Sequence, residues 1–132
     1  MGHASEAKNA ILLPGAKAPH FCYVGDSVLG HKVNLGAGTK LSNMPITIGN
    51  SAPGDHRTIT VVIDGRPIDT GLRKFGAILG DGVQTGCNVV LNPGTLIGPH
   101  SLVYPNATIP KGLHGKDMIV KLRQRLEEVP RI

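Results

Sequence analysis

Tryptophan is absent, and only four residues are aromatic: Phe21, Tyr23, Phe75 and Tyr104. A sandwich core built on large rings is therefore excluded. The same shortage removes the stacking platforms that nucleic acid needs, so no nucleic-acid partner is expected. Charge is sparse, at 17% of residues. Of the formal net charge of +5, the segment from Lys111 onward supplies +3, with six Lys/Arg against three Asp/Glu. The basicity lies mostly in the tail, a balance that suits small anionic molecules better than a polyanion. Cysteine is limited to Cys22 and Cys87, which form no CxxC pair or disulfide framework and read as free thiols of a reducing compartment. Long hydrophobic runs are missing too. The stretch Ala10 to Leu13 is broken by Pro14 and Gly15, too short for a signal peptide or a membrane span. A cytoplasmic protein with no membrane partner is the expectation.

Glycine and proline are plentiful, with 18 Gly and 10 Pro in 132 residues, against roughly 12% together in average usage. A helical bundle cannot be punctuated so densely. Yet 40% of residues are hydrophobic, too many for a disordered segment, and the length suits one domain.

A repeat decides the fold. From Leu79 the chain reads LGDGVQ, TGCNVV, LNPGTL, IGPHSL, VYPNAT, IPKGLH. The first positions are Leu79, Thr85, Leu91, Ile97, Val103 and Ile109, with Gly, Asn or Pro in the next position or two. Helical spacing and strict alternation both fail over six registers. A solenoid of short strands fits: each hexad forms one side of a triangular coil, the aliphatic residue points inward, and a small residue occupies the corner. The same phase occurs in LGHKVN and LGAGTK, from Leu29 and Leu35, after a shortened unit from Val24. The chain is expected to be all-β, a parallel β-helix spanning 1–113 with an insert at 44–73. Within the insert, TITVVI, Asp64-Gly65 and RPIDT predict a β-hairpin. Over 114–132, Met118, Ile119, Leu122, Leu126 and Val129 recur at helical spacing and predict a C-terminal α-helix that caps the solenoid or packs on another subunit.

The hexads resemble those of the left-handed parallel β-helix acyltransferases, whose hand departs from the usual crossover rule. The run KAPHFCYVGDSVLGHKVNLGAGTKLSN (17–43) resembles the form KAxHxxYxGDxxxGxxVNxGAGTxxxN. That form belongs to the acetyltransferase domain of the bifunctional bacterial enzymes that make UDP-N-acetylglucosamine. The insert and DTGLRKFGAILGDG (69–82) resemble the related archaeal and thermophile sugar-1-phosphate nucleotidylyltransferase/acetyltransferases.

Residue by residue, the resemblance implies that His20 is a general base deprotonating a sugar ammonium, whose amine then attacks the thioester of acetyl-CoA. It implies that Lys8 binds the sugar phosphate and that Lys74 is another ligand-binding lysine. Tyr23, Asn34 and Asn43 would hydrogen-bond the sugar, Asn34 also orienting the base. The Ala37 amide, flanked by Gly36 and Gly38, would be the oxyanion donor. On the cofactor side, Cys87 replaces a family serine near the thioester, and Pro105 lies where a backbone group approaches the cofactor but offers no N–H. A homotrimer with sites between adjacent solenoids, acetyl-CoA as co-substrate and glucosamine 1-phosphate as acceptor complete the implied picture. His31, His56, His100 and His114 lack the close H-x4-H pair of the zinc-binding γ-class carbonic anhydrases that share the fold, so no metal is expected. In the family a nucleotidyltransferase domain precedes the solenoid, which leaves the alternative of a non-catalytic trimerising or ligand-sensing domain of such a protein.

Overall fold

The computed structural model describes residues 1–46, 54 and 56–132; the part of the 44–73 insert at 47–53 and 55 lies outside the described residues. The hexad pattern becomes three parallel sheets that form the walls of a prism. Face I carries β1 (Glu6–Lys8), β3 (Tyr23–Gly25), β6 (Lys40–Leu41), β11 (Val90–Leu91) and β14 (Thr108–Ile109). Face II carries β2 (Ile11–Leu12), β4 (Val28–Leu29), β9 (Ala77–Leu79), β12 (Thr95–Ile97) and β15 (Gly112–His114). Face III carries β5 (Asn34–Leu35), β10 (Gln84–Thr85), β13 (Leu102–Val103) and β16 (Ile119–Val120), with Lys17 bridged to Asn34 at its end. This is a parallel β-helix, consistent with the left-handed form.

In the regular coils the residues around a strand read in, out, in. Val83 and Thr85 are buried on either side of exposed Gln84, and Val89 and Leu91 flank Val90 in the same way. First positions from Leu79 and fifth positions as far as Ala107 thus fill the core, where Leu29, Leu35, Leu41, Leu79, Leu91 and Ile109 stack on one another, while Leu113, fifth in the last unit, is exposed. Each such side chain contributes about 1.5–3 kcal/mol by leaving water. The polar side chains inside are satisfied: Thr39 Oγ1 donates to the Gly36 carbonyl at 2.7 Å and lies 2.8 Å from Thr85 Oγ1. Ser101 Oγ donates to the Gly115 carbonyl at 2.9 Å.

The corners explain the rest of the hexad. From Leu79 onward the fourth position of every unit has left-handed backbone: Gly82, Asn88, Gly94, His100, Asn106 and Gly112. Glycine does this at no steric cost, and asparagine tolerates it through its short polar side chain. The second position has another constraint. A Cβ on Gly36 would lie 2.5 Å from the Gly86 carbonyl carbon, and one on Gly86 would lie 2.6 Å from Pro105 N. Glycine there lets adjacent coils approach.

The regular wall is interrupted after β6 and resumes at β9, while β6 and β11 still pair directly across the gap. In the excursion, β7 (Thr60–Ile63) and β8 (Arg66–Asp69) pair antiparallel around Asp64 and Gly65, both with positive φ, as a type I′ turn requires. Ile59 and Val61 are buried, and β7 packs near β15.

The expected C-terminal helix is not formed. Ile119 and Val120 instead continue face III, pairing with Leu102 and Val103, and residues 121–132 have no regular structure. The ladder offers those two residues backbone partners. Leu122, Leu126 and Val129 are exposed, and so short an isolated helix is marginal in water.

Candidate active site

Four of the residues singled out from the sequence lie on one edge of the prism, where the chain turns from face III to face I. His20, Ala37, Cys87 and Pro105 occupy this corner in successive coils. Backbone bonds stack them: Gly38 N donates to His20 O at 3.1 Å, Asn88 N to Ala37 O at 2.9 Å, and Asn106 N to Cys87 O at 3.0 Å. His20, Cys87 and Pro105 are exposed, and Ala37 is half-buried. The amides of Gly36, Gly38 and Thr39 donate to Thr85, His20 and Gly36, but among the described residues the Ala37 amide has no acceptor. It remains a donor for an outside oxygen. Asn34 sits two residues before this corner, half-buried on β5 between Lys17 and Gln84.

The other four lie across face I, toward its edge with face II. Tyr23, on β3, is half-buried, and its hydroxyl accepts from Asn43 Nδ2 at 3.0 Å. Asn43 Nδ2 also donates to Asp26 Oδ2 at 2.6 Å, and Asn9 Nδ2 donates to Asp26 Oδ1 at 2.6 Å. Lys8, exposed at the end of β1, receives the Asp26 amide on its carbonyl at 2.9 Å. Lys74 returns to this edge from the insert. It lines a cleft of about 630 Å³ with Asn9, Ile11, Asp26, Leu72 and Phe75. Lys74 and His20 therefore flank opposite edges of the same face.

Asn9 and Asp26 were not singled out from the sequence. Asn9, Asp26 and Asn43 are separated by 17 residues each, one coil of this part of the prism, so the coil length itself carried the signal.

On the remaining edge, between faces II and III, Asp81 Oδ1 accepts from the His31 amide at 2.7 Å and lies 3.3 Å from His31 Nδ1. The His31 amide bond is the main cause that holds the Asp81 carboxyl below its ordinary range, aided by the imidazoles of His31 and His100. Among the described residues, no group of three or more His, Cys, Asp or Glu is arranged to hold a metal ion, and no helix is long and apolar enough to cross a membrane.

Comparison with known proteins places these edges in context. Residues 76–111 match the family of bacterial transferase hexapeptide repeats (six repeats). The chain is 38% identical over 109 residues to the bifunctional sugar-1-phosphate nucleotidylyltransferase/acetyltransferase of Sulfurisphaera tokodaii, a match covering 83% of this chain and 25% of that protein. It is 37% identical over 120 residues to the bifunctional protein GlmU of Methanococcus maripaludis, covering 91% of this chain and 27% of the relative. The chain thus spans about a quarter of the length of these curated relatives. Among solved structures, serine acetyltransferase isoform 3 of Entamoeba histolytica, in complex with cysteine, superposes with a TM-score of 0.55 at 15% identity. That match covers 94% of this chain and 39% of that one, and it speaks to the fold alone.

Proposed function

We propose, from a chain that carries the repeat of the bacterial hexapeptide transferases and is homologous to the GlmU-type proteins, an acetyl-CoA-dependent N-acetyltransferase acting on a hexosamine 1-phosphate. Glucosamine 1-phosphate is the first acceptor to try. The observation that carries the reading is the single edge on which His20, an unpartnered Ala37 amide, Cys87 and Pro105 follow one another.

In this reading His20 accepts a proton from the sugar ammonium. The freed amine forms a C–N bond to the thioester carbonyl, and the Ala37 amide holds the oxyanion of the tetrahedral intermediate. The C–S bond then breaks, the leaving thiolate takes up the proton from the imidazolium, and the second proton shed by the acylated nitrogen passes to solvent. Lys8 and Lys74 supply positive charge for the phosphate. Tyr23, Asn34 and Asn43 bind the sugar, and Cys87 and Pro105 line the thioester channel. No metal takes part.

The same geometry supports a homotrimer in this reading. His20 and Lys74 flank opposite edges of face I, so a homotrimer would bring one chain's His20 edge beside a neighbour's Lys74 edge. Face II offers a contact surface. Its outward ladder, Ile11, Val28, Ile78, Leu96 and Leu113, is aliphatic throughout, and Ile11, Ile78 and Leu113 are exposed.

The test is a thiol-release assay with acetyl-CoA against glucosamine 1-phosphate, galactosamine 1-phosphate and no acceptor. Acceptor-dependent thiol release is expected from the wild type and is lost in His20→Ala with the assembly intact. A His20→Ala protein retaining most of its activity removes His20 as the base. A well-folded wild type inactive on every acceptor favours a scaffold role instead.

A further inference from the structure

We propose that Asp26 is a positioning residue of the acceptor site: it fixes the Asn43 carboxamide so that the ligand meets one acceptor, Asn43 Oδ1, beside one donor, the Tyr23 hydroxyl. The proposal rests on the acceptor-site reading above.

The geometry leaves little choice of orientation. A carboxylate only accepts, so the atom of Asn43 that lies 2.6 Å from Asp26 Oδ2 must be the nitrogen. Its second N–H points to the Tyr23 hydroxyl oxygen at 3.0 Å. Both amide hydrogens are thereby spent, and Asn43 Oδ1 has no partner among the described residues. Tyr23, already accepting, keeps its own O–H to give away. An acceptor and a donor side by side match a sugar that presents an N–H or O–H next to an oxygen.

Asp26 is itself held from three sides. Asn9 Nδ2 donates to its other carboxylate oxygen at 2.6 Å. The Asp26 amide donates to Lys8 O at 2.9 Å, and its carbonyl accepts from Gly76 N at 2.8 Å, where the insert rejoins the wall. Charge-assisted bonds to two carboxamides hold the Asp26 side chain in place. With φ near 47°, the position also suits asparagine, so Asp26→Asn is a shape-conserving variant. It cannot accept from both Asn9 and Asn43 through oxygen: its own nitrogen must face one of them, and that carboxamide turns over.

Two readouts test the proposal. In the ligand-free protein, the Asn43 side-chain ¹⁵N–¹H resonances, assigned by their loss in Asn43→Asp, are expected to exchange slowly and to shift in Asp26→Asn. Unchanged resonances overturn the proposal whatever the ligand. In steady-state acetylation, Asp26→Asn raises KM for the hexosamine phosphate about tenfold, more than kcat falls, as expected for one lost neutral hydrogen bond. Asn43→Asp alone sets two carboxylates against each other. The double variant Asp26→Asn/Asn43→Asp lets residue 26 donate to residue 43 again but leaves Tyr23 without the N–H it accepts, so it reverses part of the KM increase of Asn43→Asp. A KM equal to wild type in Asp26→Asn, or no recovery in a double variant with wild-type thermal stability, overturns the proposal. A wild type inactive on all hexosamine phosphates removes the function reading alone, and the spectrum then decides on Asp26.

Discussion

Gly36→Ala is the sharpest test of how closely the coils are stacked. The added Cβ would lie 2.5 Å from the Gly86 carbonyl carbon, 2.6 Å from Thr85 O and 2.7 Å from Gly86 O. All three atoms are backbone of the next coil, so no side chain can swing aside. Relief requires the coils to part at the corner where Gly36 N donates to Thr85 O at 2.8 Å and to Thr85 Oγ1 at 3.1 Å. Overpacking costs about 1–3 kcal/mol, and a stretched hydrogen bond adds about 1 kcal/mol. A loss of about 3 kcal/mol lowers Tm by about 10 °C in a chain of this size. Thermal unfolding followed by circular dichroism, at one fixed protomer concentration because assembly shifts Tm, measures it. Gly65→Ala is the control: nothing lies within 4 Å of its Cβ, and only its φ of 75° resists substitution. Left-handed strain there costs about 1–2 kcal/mol. A Gly36→Ala protein melting within about 2 °C of wild type, or above Gly65→Ala, would refute close stacking as the reason for glycine at the second hexad position.

Lys8→Ala and Lys74→Ala are each expected to raise KM for the phosphorylated sugar with little change in KM for acetyl-CoA, measured by initial rates with each substrate varied; unchanged kinetics in both variants would show that neither lysine meets the phosphate. Acid titration of stability tests the edge between faces II and III. The Asp81 carboxyl is held below its ordinary 3.8 in the folded chain, so the stabilisation it gives is present above that value and fades as pH falls below it. Asp81→Asn should flatten the stability curve below pH 3.8 and leave its neutral-pH shape unaltered. A curve that stays as steep argues that the His31 amide bond does not persist in solution.

The prism was legible because its signal is redundant. The first hexad positions, Leu79 to Ile109, are buried as their spacing requires, and Asp64-Gly65 placed the hairpin turn without help from tertiary structure. Position four carried a rule that composition blurs: His100 and Lys32 take the same left-handed backbone as Asn88 and Gly82. Residue type alone would not mark them. The terminal segment misled for the opposite reason. Met118, Ile119 and Leu122 satisfy a helical period over a short window, yet a ready-made sheet edge on β13 outbids it for Ile119 and Val120. At the candidate site, the edge holding His20 and Ala37 followed from the motif. The network around Asp26 did not, because Asn9, Asp26 and Asn43 become neighbours only once the coil length is known.

The excursion between β6 and β9 leaves and rejoins the wall through a narrow neck. Ser42 N bonds Leu91 O at 2.9 Å on the way out, Phe75 N bonds Asn43 O at 2.9 Å, and Gly76 N bonds Asp26 O at 2.8 Å on the way back. Beyond the stems β7 rests on β15 with Ile59 and Val61 buried, so the part of the described excursion that is free to vary is the Asp64–Gly65 tip, where the entropic cost of closing a longer loop grows only slowly with its length. That turn is a natural splice port: nothing lies within 4 Å of a Cβ at Gly65, so foreign peptides grafted there should be displayed while the rungs beneath keep their register.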